Sequence, residues 1–131
     1  MNQSFEIISR ALIIHENKIL LVIGKGQNYF LPGGYIEFGE YSQETLAREL
    51  KEEFDGEADS IEFFDHFENI YTISNGLKHH EFNLLYKVTL KNYNVTSLES
   101  HIKFEWFPKE QLTGLEILPE KLKTIFSNLD F

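Results

Sequence analysis

The sequence predicts a mixed α/β (α+β) fold in which a mixed β-sheet lies between flanking helices. Short segments rich in branched and aromatic residues are separated by turn-forming residues, which is typical of strands. Only two segments carry apolar residues at helical spacing, one from about 42 to 54 and one from about 119 to 128. Because these two helices fall at intervals among the strands, we expect them to flank one mixed sheet.

Length and composition favour one domain, residues 1–131, which is enough to bury a single core. The 12 phenylalanines and the 42% hydrophobic content argue against disorder. No run of eighteen apolar residues occurs, so no transmembrane helix is expected. Residues 1–10 lack a basic start followed by an apolar stretch, so no signal peptide is expected either. With no cysteine, disulfides and thiolate chemistry are excluded, and a cytoplasmic location is the default.

The net charge of −9 argues against general nucleic-acid binding, which requires a basic face, and no membrane partner is expected. It does not exclude a small phosphorylated ligand. Such ligands usually arrive with magnesium, which can bridge phosphate and carboxylate groups.

The first third of the chain predicts a hairpin followed by a glycine bend. Residues 5–14 and 18–23 read as two strands joined by a polar turn at 15–18. Residues 24–28 form a loop and 29–31 a short extended segment. A turn is expected at Pro32-Gly33-Gly34, since glycine permits positive φ and a close approach of backbone to a ligand, followed by a strand at 35–38.

A helix is predicted from Ser42 to Phe54, with Ser42 as the N-cap and Glu44 in the first turn. Leu46, Leu50 and Phe54 recur at a spacing of four and form its buried stripe. Asp55-Gly56 ends the helix, because either residue can adopt the left-handed conformation that a C-cap often needs.

The remaining segments predict strands at about 60–72 and 80–91, joined by a turn at Ser74-Asn75-Gly76. A polar loop at 92–100 and a strand at 102–107 follow, and Pro108 begins a short helical or turn segment. The final amphipathic helix is expected at about 119–128.

Three acidic residues of the first helix are the most informative feature of the chain. Glu49, Glu52 and Glu53 are separated by three and four positions, so they share one stripe of the helix. Like charges at these spacings repel by roughly 0.2–0.5 kcal/mol per pair, and Glu52 and Glu53 also lie near the unfavourable C-terminal end of the helix dipole. A divalent cation bound to this stripe, which we call the glutamate stripe, would turn the repulsion into attraction. The alternative is a solvated helix face.

The stripe belongs to a longer pattern of Gly34, Glu40, Arg48-Glu49-Leu50 and Glu52-Glu53 in a box of about 34–56. This pattern resembles, without a gap, the Nudix box of MutT-like hydrolases. A hairpin leading into Leu-Pro-Gly-Gly and a tail of Glu105-Trp106-Phe107-Pro108 extend the likeness over nearly the whole chain. One position departs from the pattern, because Asp55 stands where the family has glycine; this affects the helix exit and not the stripe.

The resemblance implies a Nudix-like α/β/α sandwich and a Mg²⁺- or Mn²⁺-dependent pyrophosphohydrolase acting on a nucleoside diphosphate linked to a further group X. Glu49, Glu52, Glu53 and the carbonyl of Gly33 would hold the metal, and oxygen ligands suit these hard cations. Glu49 would alternatively be the base that deprotonates water, although some members of the family take the base from a later loop or strand. By the same resemblance, Arg48 would hold Glu49 in place, and Gly34 and Glu40 would support the site.

Further candidates lie outside the box. Glu81, at the start of a strand, is the candidate for an additional acid acting as ligand or base; the alternative is an exposed strand end. Arg10 and Lys25 could meet substrate phosphate, or be ordinary surface charges. Tyr71 lies near the position at which dinucleoside polyphosphate hydrolases of the family carry a base-stacking tyrosine, or it packs in the core.

Two other functions on the same fold are weighed against hydrolysis. An isomerase acting on isoprenoid diphosphates would need a catalytic cysteine, which the chain lacks. A non-catalytic nucleotide-binding module would be expected to lose acids of the box, and all are present. The identity of X stays open, because the box recognises the diphosphate whereas variable loops recognise the remainder of the substrate. A homodimer is possible, since dimers are common among similar proteins.

Overall fold

The computed structural model describes residues 3–131. The prediction that residues 1–10 form no signal peptide therefore falls partly outside the described residues, at positions 1 and 2. In order, the elements are β1 (Gln3–Leu12), β2 (Ile14–His15), β3 (Lys18–Ile23), β4 (Tyr29–Phe30), β5 (Gly33–Tyr35), α1 (Ser42–Phe54), β6 (Ala58–Thr72), β7 (Lys78–Leu90), β8 (Lys103–Pro108), a 3₁₀ helix (Lys109–Gly114) and α2 (Lys121–Ser127). Within the described residues, no helix is long and apolar enough to cross a membrane.

The strands form two sheets. The first has the order β5-β1-β7-β6, in which β1 and β7 run parallel and the other neighbours antiparallel. In the second sheet β3 pairs with β2, β4 and β8, and all three pairings are antiparallel. The combination of parallel and antiparallel pairs confirms the predicted mixed sheet.

Two apolar cores lie on opposite faces of the sheets, one under each α-helix. Alternate residues of one strand enter different cores: Leu12 packs with the α2 core, whereas Ala11 packs with the α1 core. Side chains alternate between the two faces of a strand, so the helices flank the sheets on opposite sides. The predicted arrangement of helices around a mixed sheet is therefore confirmed.

Helix α1 has the predicted bounds but a different N-cap. Tyr41 is the cap residue, and the Glu44 carboxylate accepts a hydrogen bond from the Tyr41 N–H at 2.8 Å. Ser42 does not cap the helix because its hydroxyl is hydrogen-bonded to the hydroxyl of Tyr86. At the other end Asp55 adopts the left-handed conformation (φ 56°), as predicted, and the Gly56 N–H donates to the Leu50 carbonyl.

The glycine segment forms a strand earlier than predicted. Instead of a turn at 32–34 and a strand at 35–38, Gly33–Tyr35 pairs with β1 and the chain turns at Phe38-Gly39. Gly33 lies opposite Arg10 with φ of 143°, a conformation that an L-residue rarely adopts. Glycine is therefore needed here for a close strand pairing and not for a tight turn.

Other bounds differ by one or two residues. Strands β6 and β7 begin two residues earlier than predicted, and β8 begins and ends one residue later. The predicted turn at 74–76 joins β6 and β7, and the loop at 92–100 and the short helical segment after Pro108 are present. Helix α2 is shorter than the predicted 119–128, because the Pro119 carbonyl accepts from the Leu122 N–H in a turn before the helix begins at Lys121.

Candidate active site

Arg48 organises the acidic residues at the start of the site. Its Nε lies 2.7 Å from Glu40 Oε2 and its Nη2 3.0 Å from Glu40 Oε1, a two-pronged contact. Its Nη1 donates to Glu49 Oε1 at 3.0 Å and approaches Glu52 Oε2 at 3.5 Å. Hydrogen bonding to Arg48 lowers the pKa of Glu40 to about 2. Glu40 therefore stays ionised and fixes the guanidinium, which in turn orients Glu49 and Glu52.

Glu49 packs directly against the backbone of Gly34. A Cβ atom added to Gly34 would lie 2.3 Å from Glu49 Oε1, far inside van der Waals contact. Burial raises the pKa of Glu49, and the neighbouring Arg48 opposes that effect. Gly34 is thus needed to make room for a partly buried carboxylate beside β5.

Glu53 is the most perturbed acid of the glutamate stripe. It is only 6% exposed, and within residues 3–131 no hydrogen-bond partner reaches its Oε1. Burial, followed by the charge of Glu49 and a hydrogen bond to it, raises the pKa of Glu53 to about 8, and the backbone N–H of Gly33 opposes this shift. A buried carboxylate oxygen without a partner is costly, and a bound cation would remove the cost.

Gly33 is confined by backbone atoms. A Cβ at this position would lie 2.0 Å from the Ser9 carbonyl oxygen. Strand pairing with β1 therefore excludes a side chain at this position.

The donor set suits a hard divalent cation. The glutamate stripe supplies carboxylate oxygens only, including the unpaired Glu53 Oε1, and Glu52 is half exposed at its outer edge. Among the described residues, no three His, Cys, Asp or Glu side chains already surround one point. Two of the three stripe carboxylates contact Arg48 instead. The residues therefore fit Mg²⁺ or Mn²⁺ in ligand chemistry.

The structure adds Glu99, which sequence reasoning missed. Its charge is among the causes that raise the pKa of Glu53. The loop that carries Glu99 docks on the end of α1 through a 2.8 Å hydrogen bond from the Leu98 N–H to the Glu53 carbonyl. The available signal was weak: Glu99 is the only acid in the predicted polar loop at 92–100.

A cavity of about 860 Å³ adjoins Gly33 and Gly34. Four polar side chains from β1, β6 and β7 line part of it: Arg10, Asn69, Tyr71 and Glu81. We call these four residues, together with the buried Asn83 that accepts a hydrogen bond from Arg10, the polar wall. The cavity thus brings together three of the candidates from outside the box. The fourth, Lys25, is exposed, although its neighbours Gly24 and Gly26 line the cavity.

Glu81 is buried, at 5% exposure, and is therefore not an exposed strand end. Its Oε2 accepts from the Tyr71 hydroxyl at 3.2 Å and its Oε1 from Asn69 Nδ2 at 3.5 Å. Tyr71 also stacks on His79 with parallel rings 4.8 Å apart. Burial, followed by the charge of Glu81, raises the pKa of Tyr71 to about 12, so its hydroxyl remains a donor at neutral pH.

A comparison with known protein families agrees with the geometry of this site. The family model for the NUDIX domain covers residues 7–129. The chain belongs to the NUDIX domain family. No curated protein sequence matches it significantly.

Solved structures of NUDIX proteins share the fold. A MutT NUDIX hydrolase from Burkholderia pseudomallei superposes with a TM-score of 0.81 at 18% identity, covering 97% of this chain and 99% of that one. A mutator MutT protein from Bacillus halodurans gives 0.76 at 21% identity, with 94% and 80% covered. The NUDIX domain of Shewanella oneidensis NrtR, solved in complex with ADP ribose, gives 0.74 at 19% identity, with 93% and 84% covered. The predicted Nudix-like α/β/α sandwich is therefore confirmed.

Proposed function

We propose that this NUDIX protein hydrolyses the pyrophosphate linkage of a nucleoside diphosphate joined to a further group X. The observation that carries the proposal is the 6% exposed Glu53 carboxylate next to Glu49, whose Oε1 has no hydrogen-bond partner among the described residues. Burial raises the pKa of both Glu49 and Glu53, and the charge of Glu49 raises that of Glu53 further. That arrangement is expected where charge from a cation and its phosphate ligand completes the site.

Glu49, Glu52 and Glu53 would hold Mg²⁺ or Mn²⁺, with the Gly33 carbonyl and Glu99 as further oxygen donors. Bound there, the metal would neutralise phosphate charge and lower the pKa of a water. Glu49 is the candidate base that would take the proton from the attacking water, and the 3.0 Å hydrogen bond from Arg48 to its carboxylate supports this role. Arg48 and Glu40 are positioning residues: Glu40 binds the guanidinium of Arg48, and the guanidinium donates a hydrogen bond to Glu49.

The cavity supports a nucleotide derivative as the partner. Its volume falls within the range of small-molecule sites, and the similar NrtR domain was solved with ADP ribose. Glu81 is the reserve candidate for the additional acid, and Arg10, Lys25 and Tyr71 are candidates for contacts to substrate. A cytoplasmic location, a homodimer and the lack of nucleic-acid or membrane partners stay predictions.

The test is a substrate panel with product identification in ¹⁸O-labelled water. Nucleoside triphosphates, ADP-ribose, nucleotide sugars and dinucleoside polyphosphates are incubated with Mg²⁺, with Mn²⁺ and with a chelator. We expect metal-dependent release of a nucleoside monophosphate or similar product, with ¹⁸O on the attacked phosphorus. Calorimetric binding of a nucleotide without turnover in any metal would overturn the proposal and favour the binding module.

A further inference from the structure

Arg10 and Glu81 carry opposite charges and line one cavity, but they do not form a salt bridge. The charge of Glu81 acts on the guanidinium and opposes the burial effect that lowers the pKa of Arg10. Nevertheless, within the described part of the chain Arg10 has no carboxylate within 4.0 Å. A cation and an anion therefore face one cavity with a gap between them.

The gap is maintained because each group is tied to a different neighbour. Arg10 Nε donates to Oδ1 of the fully buried Asn83 at 2.6 Å. Glu81 is held on β7 by Tyr71 and Asn69 from β6. Strand register fixes the separation further: Arg10 lies opposite Leu85, four residues along β7 from Glu81. Side-chain rotation alone would have to break these bonds before the pair could close.

A buried hydrogen-bonded pair, Glu6 and His79, holds the Tyr71 side of the wall. The Glu6 carboxylate is hydrogen-bonded to His79 Nδ1, and His79 stacks on the Tyr71 ring. Both partners of this pair have side chains that are at most 15% exposed. The Tyr71 ring, whose hydroxyl contacts Glu81, is therefore held on one face by His79. Such a wall is preorganised and loses little entropy when a ligand binds.

The two groups have opposite hydrogen-bonding character. A guanidinium only donates, whereas an ionised carboxylate only accepts and has about four lone-pair sites, of which Tyr71 and Asn69 use two. A ligand that fills the gap must present an acceptor to Arg10 and donors to Glu81. A carbonyl beside two N–H groups, as on the edge of a guanine-type base, satisfies both groups.

We propose that Arg10 and Glu81 determine the specificity of this site by binding the guanine-type edge of the substrate base. The inference rests on the proposed function, because it takes the ligand to be a nucleoside diphosphate derivative. Adenine offers a single amino donor next to an acceptor nitrogen, hypoxanthine lacks the second donor, and uracil would turn a second carbonyl towards Glu81. Buried groups left unpaired, or two acceptors that face each other, reduce affinity strongly in a desolvated site.

The rival role for Arg10 is contact with substrate phosphate. In that case its interaction would be the same for every base, and Glu81 would serve only to hold Tyr71. The two roles are separated by whether changing Glu81 alters affinity for one base or for all.

The experiment measures calorimetric binding of the non-hydrolysable α,β-methylene diphosphates of guanosine, inosine, adenosine and uridine in Mg²⁺. We expect the guanosine compound to bind at least about 10-fold more tightly than the others, as for hydrogen bonds to a charged group. Glu81→Gln keeps the shape but replaces one acceptor by a donor. It should weaken guanosine binding about 10-fold or more, weaken inosine binding by a smaller factor because inosine keeps one donor, and leave adenosine and uridine within about 2-fold.

Glu68→Gln is the matched control, since Glu68 is an exposed acid on β6 paired with His80 at 2.8 Å. It should leave all four affinities unchanged. Arg10→Lys retains the charge without the planar fork and should reduce the guanosine preference as well. Thermal unfolding of each variant shows that it is folded.

Equal binding of the four bases by the wild type, or an equal loss for all four in Glu81→Gln, would overturn the specificity proposal. Hydrolysis is scored separately in the wild type. Base selectivity without any turnover contradicts the proposed hydrolysis alone, whereas turnover without base selectivity contradicts only the role of Arg10 and Glu81.

Discussion

The glutamate stripe and the polar wall both adjoin Gly33-Gly34, and they differ in how their charges are balanced. In the stripe, Arg48 pairs with two of the three acids, Glu49 and Glu52, and the pKa values of Glu49 and Glu53 are raised. In the wall, one buried acid and one half-buried cation face the same cavity, and each is held by neutral neighbours.

This difference indicates that the stripe and the wall bind different parts of a ligand complex. A site with excess negative charge is suited to a metal ion, because only added positive charge removes the repulsion. A site with both signs held apart is suited to a neutral group that carries donors and acceptors. We therefore expect changes in the stripe to lower kcat and changes in the wall to alter affinity and selectivity.

The largest effect is expected for Glu53→Gln. The amide removes the charge that would hold the metal, so kcat should fall about 100-fold or more. Folding should be unchanged or improved, because glutamine cannot acquire the buried charge that Glu53 carries above its pKa of about 8. Steady-state kinetics and thermal unfolding measure both, with Glu62→Gln, at an exposed acid of β6, as the control. Full activity of Glu53→Gln would remove the stripe from the reaction.

The two glycines between the regions should respond differently to alanine. In Gly34→Ala the new Cβ meets the end of the Glu49 side chain, which can move, so activity should fall about 10-fold in a folded protein. In Gly33→Ala it meets the Ser9 backbone at positive φ, and stability should fall by about 2 kcal/mol or more. Urea unfolding and kinetics distinguish them; equal destabilisation by both substitutions would contradict this distinction.

Arg48→Lys tests whether the stripe depends on a planar guanidinium. Lysine cannot contact Glu40 through two nitrogens while also donating to Glu49. We expect kcat to fall about 10-fold, as for other residues that orient metal ligands, with KM nearly constant. A change confined to KM would instead place Arg48 on the substrate.

The pH dependence of stability should separate Glu53 from the rest of the molecule. Its pKa is raised to about 8 from 4.5, so between these values the folded protein retains a proton that the unfolded chain releases. Without metal, this contribution is complete below about pH 4.5 and is lost as pH rises through 8, at no more than about 1.4 kcal/mol per pH unit. Urea midpoints in chelator from pH 5 to 9 should fall for the wild type and less steeply for Glu53→Gln; parallel curves would contradict the assignment.

The smallest effect is expected at the helix exit, outside both regions. Asp55 holds φ of 56°, which glycine adopts without strain, and its ion pair with Lys51 is between exposed side chains. Asp55→Gly should therefore change the free energy of unfolding by less than about 1 kcal/mol, in the stabilising direction, with unchanged kinetics. A loss of activity would show that the helix exit shapes the stripe.

Local features were accessible from the sequence. The bounds of α1, the adjacency of Glu49, Glu52 and Glu53, and the left-handed residue at the helix end all follow from spacing within one helix. The N-cap prediction was wrong because the Ser42 hydroxyl is used by Tyr86, a residue 44 positions away. The glycine turn was wrong for a similar reason, since pairing with β1 extends Gly33–Tyr35 into a strand.

The polar wall and the Glu99 loop were decided by the tertiary structure. Arg10, Tyr71 and Glu81 come from three strands whose order and parallel register no local pattern encodes. Glu99 acts on Glu53 only because the Leu98 N–H docks its loop on α1. The sequence by itself determined the glutamate stripe, because helix geometry converts spacing directly into proximity. Long-range strand pairing determined what faces the cavity, because proximity there depends on the whole sheet.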